Sequence, residues 1–240
     1  ANRGGLEVLQ QTLDRLFGFP APAALWEEAI LPSRLAPCDP SWLDTLFASY
    51  GLAWLGTGKE RLTLALPADN GLFSDFARPS ADAPASAVLD KLAGAERGLG
   101  FFELADALGL DSGALARIMW TLAWQGAIAS DSFEVVRRGI LNDFAAEKAT
   151  ESAGRGGFRR WQRSRPSVGV WRLVSRPKSD GAMAHLELDK ERARMVLARH
   201  GVIFRELLEH ELPPLRWSRL FRALRSLELS GEIVAGHFFA

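Results

Sequence analysis

Hydrophobic and polar residues follow one order three times along the chain: apolar positions at helical spacing come first, and short alternating segments come after them. In the first stretch this pattern predicts helices over residues 6–17, 23–30 and 42–49, with Ser41 as the N-cap of the third. Residues 52–55 and 61–66 predict two strands, joined by a turn over residues 56–59. Helices followed by a hairpin indicate a winged-helix module.

The second and third stretches repeat this order. In the second, helices are predicted over residues 87–92, 101–108 and from Asp111 or Ser112 to Gln125. Residues 127–129 predict one strand of the wing, and residues 133–136 fit either its partner strand or a helix. The third stretch predicts helices over residues 188–199, 203–211 and 217–229, then a strand over residues 232–235.

The expected fold class is therefore α+β, predominantly helical, and built from tandem winged-helix modules. We expect a module over residues 1–78, a second over 79–146, a basic linker rich in Arg, Gly and Trp over 147–186, and a third module over 187–240. The last module ends inside its predicted wing, which suggests a fragment of a longer protein.

Charge is divided unevenly along the chain although the formal total is zero. Residues 1–150 hold 12 Lys and Arg against 19 Asp and Glu, whereas residues 151–240 hold 17 against 10. Between Glu151 and Asp180 there are eight Lys or Arg and no acidic residue. Such an asymmetry favours a polyanion, DNA or RNA, as the partner.

The last predicted helix provides the first candidates for nucleic-acid contact, namely Arg216, Arg219, Arg222 and Arg225. They recur every third residue, outside the apolar sector of the helix, to which the helical wheel assigns Phe221. In a helix-turn-helix arrangement this third helix enters the major groove, where Arg suits both phosphate and guanine. The alternative is a solvated helix face whose arginines pair with Glu228 and its neighbours.

The linker provides the second group of candidates, which are Arg159, Arg160, Trp161, Arg163 and Arg165. Aromatic rings among cations, including Phe158 and Trp171, allow base stacking together with phosphate neutralisation. The alternative is a connector that only keeps the protein in solution.

Four further residues are candidates for an interface or for stacking: Trp54, Arg117, Trp120 and Trp124. Trp120 and Trp124 lie four residues apart, outside the main apolar stripe of their helix, and therefore need a partner. Packing on a neighbouring module is one interpretation, and base stacking or a subunit interface is the other. Trp54, beside a glycine turn, is either a core residue or a wedge against a base.

The sequence contains no motif of an autonomous catalyst. The P-loop, GxSxG, HExxH and CxxC patterns are absent, and the four His and single Cys38 show no metal-ligand spacing. We therefore expect no cofactor. One cysteine excludes a disulfide framework, and neither a signal peptide nor an apolar run of about 18 residues is present. These features are typical of a cytoplasmic protein without a membrane partner.

Several strings occur in order along nearly the whole chain. They are residues 30–34 (ILPSR), 42–44 (WLD), 52–56 (LAWLG), 99–105 (LGFFELA), 119–126 (MWTLAWQG), 130–133 (SDSF), 199–205 (RHGVIFR) and 224–233 (LRSLELSGEI). Together they resemble the C-terminal region of bacterial large helicase-related (Lhr) proteins, which are superfamily-2 DNA helicases. The resemblance implies a tandem winged-helix array behind an ATPase core, associated with oligomer formation. It also implies a fold similar to DNA glycosylases of the AlkZ type, with uracil removal attributed to such regions.

The expected function is thus a nucleic-acid-binding and assembly module of an ATP-dependent DNA helicase involved in DNA repair. The chain itself carries no ATPase motif and is not expected to be an enzyme. Its expected partners are DNA, the helicase core of the same polypeptide and further copies of itself. Two alternatives stay open: a purely protein–protein oligomerisation scaffold, and base excision like that of a uracil-DNA glycosylase, with Asp131 and Asp180 as carboxylates chosen by position.

Overall fold

Three units of helices and short antiparallel strands make up the protein. A computed structural model describes residues 3–73, 82–144, 169–174 and 181–236. Within these ranges each unit has helical segments in winged-helix order, and the first two units add small antiparallel sheets of three and two strands. The predicted α+β winged-helix class is confirmed.

The first unit begins with a long amphipathic helix. Its elements are α1 (Arg3–Leu16), β1 (Ala21–Pro22), a π-helical turn (Trp26–Ile30), α2 (Pro40–Tyr50), β2 (Ala53–Gly58), β3 (Arg61–Ala65), a 3₁₀ turn (Pro67–Asp69) and α3 (Asn70–Phe73). The predicted helix over 23–30 is shorter than expected, because Ala21 and Pro22 pair with β3 and the N–H of Ala23 donates to the Glu60 carbonyl.

Two local details of this unit differ from expectation. Asp39, rather than Ser41, is the N-cap of α2, because its carboxylate accepts the N–H of Ser41 at 2.9 Å while Pro40 occupies the first helical position. The sheet has the order β1-β3-β2, and β2 continues to Gly58 through an irregularity after Gly56. The hairpin turn therefore lies at residues 59–60 instead of 56–59.

The second unit has the same plan with a longer wing. Its elements are α4 (Ala83–Ala93), α5 (Phe101–Leu108), α6 (Ser112–Trp124), β4 (Ile128–Ser130), α7 (Glu134–Leu141) and β5 (Trp171–Leu173). Asp111 is the N-cap of α6, since its carboxylate accepts the N–H groups of Gly113 and Ala114 at 2.9 Å each. Residues 133–136 enter a helix, which decides between the two interpretations of that segment.

Strand β5 comes from the stretch that the sequence assigned to the linker. It pairs antiparallel with β4, with Ile128 opposite Leu173, and Trp171 also forms a bridge with Leu99. The chain between β4 and β5 includes α7, and residues 145–168 of it lie outside the described residues.

The third unit consists of helices in the described ranges. They are α8 (Ala182–His200), α9 (Arg205–Leu208), a 3₁₀ turn (Pro213–Leu215) and α10 (Trp217–Leu229). The bounds of α10 match the prediction, and Gly231 follows it with a left-handed φ of 76°. The strand predicted over residues 232–235 is wrong: these residues are irregular, because the carboxylate of Glu232 is held by Arg194 at 2.6 and 2.9 Å and no described strand lies alongside.

The first unit lies between the other two. One buried core joins it to the second unit, and another joins Leu55, Ala65 and Phe73 to α8 and α10. At Gly56 the backbone of β2 meets the end of α6 so closely that a Cβ atom would overlap the carbonyl group of Ala123. Only glycine permits this approach.

Arg137 of α7 forms an ionic cluster between the second and first units. Its Nε and Nη2 atoms donate to the carboxylate of Glu27 at 2.8 and 2.7 Å, and its Nη1 atom donates to Asp44 at 2.8 Å. The hydrogen bonds to Glu27, then those to Asp44 and the negative charges of both carboxylates, raise the pKa of Arg137 above its ordinary value, although burial acts in the opposite direction. The guanidinium group therefore stays charged and keeps both ion pairs.

Two arginines of α8 connect the third unit to the first. Arg199 pairs with the buried Glu211 at 2.6 Å and donates to the carbonyl of Phe17. The fully buried Arg192 donates to the carbonyl of Leu72 at 2.8 Å.

No helix in the described ranges has the length and apolar character needed to cross a bilayer.

Candidate nucleic-acid interface

Helices α2, α6 and α10 occupy the same position, the third helix, in their units. In helix-turn-helix proteins this helix reads the groove. The sequence of α2 contains no Lys or Arg, and α6 contains one, Arg117. Helix α10 contains three, and Arg216 is its N-cap residue. By charge alone, α10 is the helix suited to phosphate contact.

One face of α6 packs on the first unit. The rings of Trp120 and Trp124 stack on each other with centroids 5.2 Å apart, and both pack on Trp54 at 6.2 and 6.3 Å. The structure thus places this pair in the contact between the first two units, where α6 faces β2. Arg117 is exposed beside this contact, and its role stays a prediction.

Trp54 is a core residue and not a wedge for a base. Its side chain is fully buried, and its Nε1–H donates to the carbonyl of Ser132 at 3.3 Å. Trp171 is also buried, with its ring 5.9 Å from that of Trp54, so it is not an exposed stacking residue of the linker. The sequence signal for the burial of Trp171 was its alternation with Arg172 in a strand, because one side of such a strand faces the core. Arg159, Arg160, Trp161, Arg163 and Arg165 lie outside the described residues.

The four arginines of α10 divide into two pairs. Arg216 donates to the carbonyl of Glu211 at 3.3 Å, and the Nε atom of Arg219 contacts the carboxylate of Asp189 on α8 at 3.1 Å. That carboxylate also pairs with Arg192 at 2.7 Å. Arg219 is thus partly neutralised by the module that carries it, and Arg216 is oriented by a backbone carbonyl, although both side chains are exposed.

Arg222 and Arg225 point outward. Arg225 pairs with Glu228 one turn along the helix at 2.6 Å, as the alternative interpretation of the stripe expects, yet its side chain is 59% exposed. Arg222 is exposed and has no ion-pair partner among the residues that the structure describes. Exposed ion pairs contribute little, so Arg225 can exchange Glu228 for a phosphate at small cost.

Phe221 shares this outward face. The helical wheel assigned it to the packed sector, but the ring is 54% exposed. The physical reason is that α8 covers a narrower strip of α10, formed by Leu220, Ala223, Leu224 and Leu227. The indole of Trp217, one turn earlier, lies with its centroid 6.0 Å from that of Phe221.

The described residues contain no cluster of three His, Cys, Asp or Glu side chains that could hold a metal ion. The most buried carboxylate, Glu211, is bound by Arg199 at 2.6 Å and by His200 at 2.9 Å. Asp131 accepts the N–H of Val170 at 2.8 Å, and Asp180 lies outside the described residues. Glu211 thus acts in an ion pair, and Asp131 holds the backbone next to β5.

Comparison with known proteins agrees with this geometry. Two models, each described as a winged-helix domain of large helicase-related protein, match residues 1–66 and 183–240. The fold and these matches define a tandem winged-helix region of the kind associated with helicases. The chain belongs to the large helicase-related (Lhr) family.

Two curated relatives extend the match over the middle unit. The Lhr helicase/uracil glycosylase of Escherichia coli is 29% identical over 98% of this chain, which spans 16% of that protein. The Lhr helicase/probable uracil glycosylase of Mycolicibacterium smegmatis is 26% identical over 99% of this chain, which spans 17% of that protein. The chain thus corresponds to about a sixth of its relatives.

Proposed function

We propose that this chain is the nucleic-acid-binding and assembly module of an ATP-dependent DNA helicase that acts in DNA repair in the cytoplasm. The observation that carries the proposal is the outward face of α10, where Arg222 and Arg225 are exposed, while α2 has no cation and α6 has one, Arg117. The motor and its ATPase would lie elsewhere in the same polypeptide. The Arg-rich residues Arg159, Arg160, Trp161, Arg163 and Arg165 would add phosphate contacts, and Arg117, exposed on α6, would add a further one in the second unit.

Fluorescence anisotropy with labelled DNA tests this function. The wild-type chain should bind DNA with an affinity that falls as salt rises, because neutralised phosphates release counterions. The double variant Arg222→Ala/Arg225→Ala should bind more weakly and show a shallower salt dependence. Arg216→Ala/Arg219→Ala is the matched control with the same charge change, and it should have the smaller effect. Equal losses in both double variants would contradict the assignment of the binding face.

Self-assembly is the second part of the proposal. Residues 1–150 are acidic and residues 151–240 are basic, which allows copies to pair through opposite charges. Light scattering at tens of micromolar protein, in low and high salt, should show an oligomer that dissociates as salt rises. A monomer under both conditions would remove this role.

Uracil removal is a further candidate because the E. coli relative is named a helicase/uracil glycosylase. Asp111 caps α6, Glu27 pairs with Arg137 and Asp131 accepts the N–H of Val170, so these three carboxylates are engaged and we expect the chain alone to be inactive. Incubation with uracil-containing DNA, followed by alkaline cleavage, should yield no abasic product. Product formation would assign the activity to this chain.

A further inference from the structure

The outward face of α10 combines cations with an aromatic ring. Phe221 is 54% exposed, and Arg225 lies four residues later, a spacing that makes the two side chains neighbours on a helix. Arg222 and Arg225 are three residues apart and are likewise neighbours. We call these three residues the Phe–Arg face.

The exposed ring of Phe221 has an aromatic neighbour on its own helix. Trp217, one turn earlier and partly buried, lies with its ring centroid 6.0 Å from that of Phe221 and with the two rings tilted by 44°. The phenyl ring is therefore supported by Trp217 and still accessible to solvent. A supported aromatic ring loses little further freedom when it stacks on another ring, which favours recognition.

The chemistry of this face fits unpaired bases better than a duplex. In a duplex the bases stack on one another and present polar edges to the grooves, which a phenyl ring cannot hydrogen-bond. An unpaired base exposes its flat face, and proteins that bind single strands combine such aromatic rings with a basic surface.

We propose that the Phe–Arg face binds an unpaired nucleic-acid strand, with one base stacked on Phe221 and phosphates contacted by Arg222 and Arg225. This inference rests on the proposed function and specifies its substrate. Arg216 and Arg219 already contact the carbonyl of Glu211 and the carboxylate of Asp189. The face thus neutralises about two phosphates, which corresponds to a slope of about −1.4 in log K against log salt for a single strand.

Three probes of equal length separate stacking from charge: a labelled 15-nucleotide oligothymidine, the same strand with abasic sites throughout, and a 15-base-pair duplex. Phe221→Leu keeps an apolar side chain but removes the ring. It should weaken oligothymidine binding by about 5- to 150-fold, the equivalent of about 1–3 kcal/mol for one stacked base. Its affinity for the abasic strand and the duplex should stay within about twofold, and Phe221→Trp should restore oligothymidine binding.

Phe102→Leu is the matched control, because Phe102 is 47% exposed on α5 of another unit. It should leave binding of all three probes unchanged. Arg222→Ala should weaken all three, since it removes a phosphate contact, and thermal melts should show that the variants are folded.

The possible outcomes test single-strand recognition by the Phe–Arg face separately from the proposed nucleic-acid binding. If Arg222→Ala weakens binding but Phe221→Leu weakens every probe equally, or none, the single-strand assignment is overturned while nucleic-acid binding stands. If the wild type binds no probe, both fail. If Phe221→Leu changes the oligomeric state of the free protein and not its affinity for oligothymidine, the face is a protein contact and the inference is wrong.

Discussion

Replacing Arg137 with Met tests how the first two units are held together. Met keeps most of the aliphatic stem and removes the guanidinium group that joins α7 to Glu27 and Asp44. The side chains of Arg137 and Glu27 are only 21% and 24% exposed, whereas that of Asp44 is 51% exposed. Most of the effect should therefore come from Glu27, which loses two hydrogen bonds and keeps a largely buried charge.

The magnitude follows from these exposures. A hydrogen bond to a charged group contributes about 1.5–3 kcal/mol, and an exposed pair such as that with Asp44 contributes less than about 1 kcal/mol. Because water can reach part of the Glu27 carboxylate, we expect Arg137→Met to lower the free energy of unfolding by about 2–4 kcal/mol. Lys91→Met, which removes an exposed cation from α4, should change it by less than about 0.5 kcal/mol.

Urea unfolding monitored by tryptophan fluorescence is the suitable assay, because Trp54, Trp120, Trp124 and Trp171 all lie in the contact between these units. A double-mutant cycle with Glu27→Gln should give a coupling energy of about 1–2 kcal/mol with Arg137→Met. Additive effects in that cycle would refute the claim that this ion pair joins the units.

Three further predictions concern local chemistry. Gly56→Ala should destabilise the protein by at least about 1–3 kcal/mol, because the new methyl group would overlap the backbone of Ala123. Gly94→Ala is the control: no atom lies closer than 3.8 Å to its new methyl group, so it should be neutral or slightly stabilising in the same urea titration. Burial raises the pKa of the Cys38 thiol, and the charges of two nearby carboxylates raise it further. Alkylation of this thiol at pH 8 should therefore be slower in the folded protein than in urea. Hydrogen bonds from the side chain and then from the backbone N–H of Ser41 lower the pKa of Asp39, so its stabilising effect is present above the ordinary carboxyl pKa and is lost as pH falls through the lowered value. Thermal melts of Asp39→Asn should consequently depend less on pH in the acid range than those of the wild type.

The parts of the fold that local signals determine could be predicted from the sequence. Helices α5 and α10 have the predicted bounds, because a glycine with left-handed φ follows the end of each and apolar positions recur at helical spacing. Strand β5 was missed because its partner lies about 40 residues earlier and only one of its three residues is buried. Likewise, Arg137 and Glu27 are 110 residues apart, and no local pattern connects them.

The candidate site was only partly predictable for a related reason. Spacing alone identified the four arginines of α10, but it could not show that Asp189, 30 residues away, forms an ion pair with Arg219. Nor could a helical wheel fix how wide a strip of α10 is covered, which decides whether Phe221 belongs to the core or the surface. These are tertiary properties, since they depend on where α8 crosses the helix.

The contacts that assemble the three units also limit how the array can meet nucleic acid. Helix α6 is covered by β2 through Trp120 and Trp124, and the first turn of α2 is held by Arg137 and carries no cation. Of the three helices in this position, α10 is the one that presents several arginines to solvent. The array should then bind with the salt dependence of α10 alone, to which the Arg-rich residues 151–168 would add their own phosphate contacts. A measured slope much steeper than about −1.4 for the full chain would accordingly assign the excess to residues 151–168, and deletion of these residues should return the slope to the value expected for the Phe–Arg face.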